Sequence, residues 1–150
     1  MSRNVAISLV FLLLTDIPSA QAWAPLGHQL VGALAEQELT PEAKRAVAEI
    51  LQDESQPTLA GVAAWADALR GLDSERFHAT SHWHYVSTPS GTCQLDRVRD
   101  CPAGGCVVAA IEDQRGILLD STRSADERRE ALKFIVHFVG DVHQPFHANN

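Results

Sequence analysis

Apolar positions recur at helical spacing through most of this chain. Between Gln29 and Glu38, Leu30, Val31, Ala33, Leu34 and Ala35 fall where one side of a helix would gather them. Thr40 followed by Pro41 pairs a hydroxyl cap with a proline at the first helical position, which opens a second helix to about Gln52. Gln56-Pro57-Thr58 punctuates, and Leu59 to Arg70 reads as a third helix. His82 to Val86, aromatic and β-branched, predicts a short extended segment. Ser87 to Gly105 is rich in turn residues and reads as a loop, and Cys106 to Leu119 returns to helix. Ser124-Ala-Asp-Glu127 is a capping box opening a last apolar helix to about Val142, which Pro145 ends. The fold class this predicts is all-α, in one domain, without internal repeats.

The first residues follow a different pattern. Arg3 precedes an apolar run from Val5 to Leu14, too short for a bilayer that needs about 20 helical residues. Ala20-Gln21-Ala22 is a small-x-small cleavage site. Residues 1–22 are therefore expected to be a signal peptide, with a secreted or periplasmic product and no stable membrane association after cleavage. Export permits disulfides. Cys101-Pro-Ala-Gly-Gly-Cys106 is a short turn-rich loop that a bridge closes easily, which leaves Cys93 without a partner.

Charge narrows the function. The net charge of -7 argues against a broadly basic nucleic-acid surface. Any polyanion would have to be attracted locally, and bound cations are the obvious source.

The histidines supply candidates for holding such cations. His137 and Asp141 are four residues apart and share a helical face. Such a pair is common on solvated surfaces, but Asp141 interrupts a run of Phe134, Ile135, Val136, Phe138, Val139 and Val142. A buried carboxylate there needs a cationic partner. Asp67 stands beyond two small residues, Ala63 and Ala64, that permit close approach; an ordinary surface aspartate is the plain alternative. His82 and His84 would share one face of an extended segment, one of them as a ligand and the other as a core histidine. His147 follows past the proline. Cleavage after Ala22 would free the Trp23 amine, which with its own carbonyl can close a five-membered chelate ring, and His28 follows nearby. Nitrogen with carboxylate ligation suits zinc.

Trp23-Ala-Pro-Leu-Gly-His28-Gln-Leu-Val-Gly32 resembles the mature start of the zinc-dependent single-strand nucleases, the type I nucleases related to zinc phospholipase C. Trp65-Ala-Asp67, His84-Tyr-Val86 and His137-Phe-Val-Gly-Asp141-Val-His-Gln-Pro-Phe-His147 resemble that family's next motifs, in the same order. The resemblance implies a multi-helix phospholipase C/nuclease-like fold with three zinc ions. Asp67, His84, His137 and Asp141 would hold one. The Trp23 amine and carbonyl, His28 and a bridging Asp141 would hold a second. His147 would ligate a third, whose other ligands lie in a later motif, so at most two sites are complete here. His84 is preferred to His82 because His-Tyr-Val matches the local motif, and His143 is not a ligand.

By the same resemblance, Arg70 faces the phosphate, Tyr85 stacks on a base, and Ser87 replaces an acidic residue that contacts the base. Asp67 both ligates and orients water. The implied activity is hydrolysis of phosphodiesters in single-stranded DNA or RNA to 5'-phosphate products, as an endonuclease with 3'-nucleotidase action as a further capacity. Neighbouring zinc ions can lower the pKa of water from 15.7 toward about 7. Residues 23–150 are then expected to be the N-terminal portion of a trinuclear-zinc domain, with no obligate protein partner and with Cys93 separated from its own partner cysteine. A zinc phospholipase C and an inactive zinc-binding fragment are the alternatives.

Overall fold

A computed structural model describes residues 25–92 and 94–149. The expected signal peptide, the Trp23 ligand and Cys93 lie outside the described residues. Helices run from Pro25–Glu38 (α1), Pro41–Ile50 (α2), Leu59–Val62 (α3), Trp65–Leu72 (α4), Ser74–Thr80 (α5), Arg97–Asp100 (α6), Val107–Leu119 (α7) and Ala125–Val142 (α8). Short 3-10 turns at Ser81–His84 and Pro102–Gly104 link them, so the predicted all-α class holds. Two-residue strands at Val86–Ser87 (β1) and Ala148–Asn149 (β2) pair in parallel, Val86 with Ala148 and Ser87 with Asn149.

The longest helix, α8, is central through its second half, where every residue from Ala131 to Asp141 is buried or half-buried. Ser124 caps α8 by accepting from the Glu127 N–H, and the Glu127 carboxylate accepts in return from the Ser124 N–H. Phe134 and Phe138 stack at 5.3 Å and join Leu69, Val107 and the Cys101–Cys106 disulfide in one core. Leu132 and Val136 close a second core with Leu51, Leu59 and Val62. The loop after α2 is tied to α8 by charge. Arg129 meets Asp53, and the buried Lys133 ammonium sits 2.8 Å from Glu54 and 4.0 Å from the Trp65 ring centroid.

Three expectations need correction. The helix expected over Leu59 to Arg70 is two helices, α3 and α4, broken at Ala63 and Ala64. The break turns the Ala63 carbonyl out of the helical ladder and toward α8. Ser74–Thr80, to which the sequence pattern assigned no element, is helical behind an Asp73 cap. The segment from His82 is not extended either: Ser81–His84 is a 3-10 turn, and the strand begins only at Val86. His82 and His84 therefore do not share a face. His84 is buried, whereas His82 is exposed.

Candidate metal centre

Four elements converge on one carboxylate. α1 supplies His28, α4 supplies Asp67, the 3-10 turn supplies His84, and α8 supplies His137 and Asp141. The i, i+4 spacing on α8 sets His137 Nε2 3.2 Å from Asp141 Oδ2. His84 Nδ1 lies 3.0 Å from the same oxygen and 3.2 Å from His137 Nε2. Asp67 Oδ1 lies 3.8 Å from His84 Nδ1 and 3.7 Å from His137 Nε2. Four atoms have six pairwise separations, and these five span 3.0–3.8 Å. Ligand atoms about 2.0–2.2 Å from a tetrahedral zinc lie roughly 3.3–3.6 Å apart. The His84, His137 and Asp141 atoms are thus close to zinc-ligand spacing, and Asp67 Oδ1 forms a second group of three with His84 and His137, all within 4.8 Å of one another.

The other oxygens of both aspartates face His28. Its Nε2 is 3.5 Å from Asp141 Oδ1 and 3.9 Å from Asp67 Oδ2. Each carboxylate therefore spans two clusters, one around His84 and His137 and the other around His28. The sequence reading gave that bridging role to Asp141 alone. Asp141 is 1% exposed and Asp67 45%, so the first anchors the site and the second stands at its mouth.

Secondary contacts orient the rings of His137 and His147. His137 Nδ1 donates to the Ala63 carbonyl at 2.8 Å, which leaves Nε2 as the lone-pair atom of the neutral ring. His147 Nδ1 donates to the His84 carbonyl at 2.7 Å and lies 3.3 Å from Asp141 Oδ1. His147 thus borders the cluster through an N–H, and its Nε2 is left for a ligand elsewhere. The β1–β2 pairing holds it there, with the Val86 N–H donating to the His147 carbonyl at 2.7 Å.

Protonation follows burial and charge. Burial pushes His28 down to about 4, helped by the nearby His137 and opposed by Asp141 and Asp67. Burial also works against a proton on His137, but the hydrogen bond and charge of Asp141 outweigh it and the net direction is upward. Burial would raise Asp141, yet the hydrogen bonds from His137 and His84 hold it well below the usual carboxylate range. The result is an ionised carboxylate among imidazoles.

The site fits a cation on its own evidence. Asp141 Oδ1 is fully buried and accepts no hydrogen bond among the described residues, although nitrogens surround it. A buried anionic oxygen is costly unless something positive meets it. Imidazole nitrogen with carboxylate oxygen is the donor set of zinc sites.

The remaining candidates lie around this centre. The Arg70 guanidinium stands over the Phe77 ring, 4.7 Å from its centroid. Tyr85, beside His84, is 49% exposed and lines a cavity of about 380 Å³ with His82, Ser87, Arg99 and Gly105. Cys101 and Cys106 are bridged, as their spacing suggested. His143 Nδ1 donates back to the Val139 carbonyl at 2.7 Å, a helix-end contact away from the cluster. Sequence reasoning missed the Ala63 carbonyl and Gly140. No breaker residue marks the helix end that exposes the first, and nothing in the pattern signalled the second.

A helical scaffold that gathers imidazoles and carboxylates in this way is one that could hold a metal ion. The S1/P1 nuclease family profile matches residues 23–150, and the chain belongs to that family. It is 35% identical over 153 residues to Nuclease S1 of Aspergillus oryzae, covering 100% of this chain and 52% of that protein. It is 36% identical over 126 residues to Nuclease P1 of Penicillium citrinum, covering 83% of this chain and 47% of that protein. Endonuclease 2 of Arabidopsis thaliana is 33% identical over 147 residues, covering 91% and 49% respectively. The chain thus spans about half the length of the curated relatives it matches.

Proposed function

We propose that this chain is the cation-binding portion of an exported, zinc-dependent nuclease that hydrolyses phosphodiesters of single-stranded nucleic acid. The observation that carries the reading is the pair of overlapping three-residue groups, His28 with His137 and Asp141 and Asp67 with His84 and His137, whose ligand atoms lie within 4.8 Å of one another. Asp67, His84, His137 and Asp141 would hold one zinc, and His28 with the far carboxylate oxygens a second. In the mature protein the Trp23 amine and carbonyl would complete that second set. Held there, zinc supplies positive charge to phosphoryl oxygens and acidity to water.

The chain's own groups supply the rest. Asp67, at the mouth, orients the attacking water and receives its proton. Arg70 adds a fixed cation for the phosphate. Tyr85 offers an aromatic face to an unpaired base, which a duplex keeps stacked inside. His147 would serve a third zinc, within a domain that residues 23–150 begin. Products ending in 5'-phosphate follow if the leaving oxygen is the 3' one. The family match gives no support to the phospholipase alternative.

The test pairs metal analysis with two substrates. Purified protein, dialysed after zinc loading, is expected to retain about two zinc ions per chain, in line with tight structural-type ligation. Single-stranded DNA should be cleaved while phosphatidylcholine is untouched. Zinc near zero removes the ligand assignment, lipid turnover without nucleotide release reverses the substrate, and zinc without either activity leaves a binding protein.

A further inference from the structure

The His28 imidazole occupies a slot with two walls. One wall is the His137 ring, stacked at 3.9 Å between centroids and 15° between planes. The other is the backbone of α8 at Gly140. A β-carbon built on Gly140 would lie 2.7 Å from His28 Nδ1 and 3.3 Å from Cε1. Neither ring can retreat, because His28 is 1% exposed and His137 is fully buried. The slot aims His28 Nε2 at Asp141 Oδ1 and Asp67 Oδ2.

Glycine is otherwise a poor choice at this position. It lies inside α8, two residues before the helix ends, and its φ is not positive. Alanine there would ordinarily stabilise a helix. The backbone therefore gives no reason for glycine, and the ring against it does.

We propose that Gly140 is a positioning residue for the second cation: its missing side chain is what admits the His28 ring to ligating depth. The inference rests on the two-cation reading above, but its contact half is independent of metal. Gly32, on the same helix as His28, acts in parallel, since a β-carbon there would lie 2.8 Å from the Leu59 carbonyl carbon. Gly32 sets how near α1 approaches α3, and Gly140 sets how far the ring then enters.

A double-mutant cycle on the purified protein tests this, with Gly140→Ala, His28→Ala and both together. In metal-free protein, Gly140→Ala should lower Tm by several degrees. In the His28→Ala background the same change should raise Tm slightly, because only the helix-propensity gain remains. On zinc titration, Gly140→Ala should weaken the second ion at least tenfold and leave the first within about twofold. If Gly140→Ala alone does not fold, the double variant should. Equal effects in both backgrounds, failure of both variants to fold, or an unweakened second ion would each overturn the proposal. Failure of the cation reading looks different: the unmutated protein would hold fewer than two zinc ions, whatever the metal-free cycle gives.

Discussion

Two nitrogens of one ring do different work at His137. Nδ1 is committed to the Ala63 carbonyl, so in the neutral ring Nε2 faces Asp141 and His84. The sequence made half of this legible. Asp141 in an apolar run announced a buried charge, and the four-residue spacing supplied its histidine. The partner carbonyl was hidden, because a helix break at Ala63 leaves no breaker residue to read. The double reach of Asp67 was equally hidden, since it depends on where α1 lands.

Protons set a limit at the same scale. Burial lowers His28 to about 4, so between 6.5 and 4 the unfolded chain binds a proton that the folded one refuses. Stability must then fall as pH drops through that window. Asp141 acts in the same direction at still lower pH, since its folded carboxyl is the harder to protonate. Thermal melting of the metal-free protein should show Tm declining steadily from pH 6.5 to 4. His28→Ala should flatten that decline, and an unchanged slope would mean that His28 is not the group responsible.

Elements were read unevenly, and for identifiable reasons. α2 and α8 carried hydroxyl caps at Thr40 and Ser124 that marked their starts, and the structure shows both side chains accepting from the first turn. The turn at Ser81–His84 was misjudged because the aromatic and β-branched residues of His82 to Val86 favour strands on average. Local packing decided otherwise: Trp83 goes edge-on to Phe134 at 5.7 Å, and His84 tips in against Phe138 at 5.1 Å. A strand would have sent His82 and His84 the same way. The capping box gives a direct test. Ser124→Ala should cost about 1 kcal/mol, measured by urea unfolding. Zinc stoichiometry should not change, because the cap lies at the far end of α8 from Asp141. A loss of metal in that variant would show that the helix start and the site are coupled.

Across the whole molecule, the overall charge and the site point in opposite directions. A net charge of -7 would repel a polyanion, and on the proposed reading the local centre would reverse that only when loaded. The all-α class was readable from periodicity. The convergence of α1 on α8 was not, because no sequence pattern encodes which helices meet. α1 also keeps Leu26, Leu30 and Leu34 more than half exposed along one side, at 63%, 56% and 62%.

The pairing of Val86 with Ala148 carries a consequence for the order in which this protein assembles. It brings the last described residues back beside the middle of the chain, and only then can His147 lock onto the His84 carbonyl. His28 must wait as well, because its slot belongs to α8. Contacts so distant along the chain form late. The emerging polypeptide accordingly offers no finished cage, and capture of an ion would come after these distant contacts form. Added zinc should leave the refolding rate nearly unchanged while slowing unfolding, as stopped-flow fluorescence of the tryptophans would record. Acceleration of refolding by zinc would mean that the ion instead nucleates the fold.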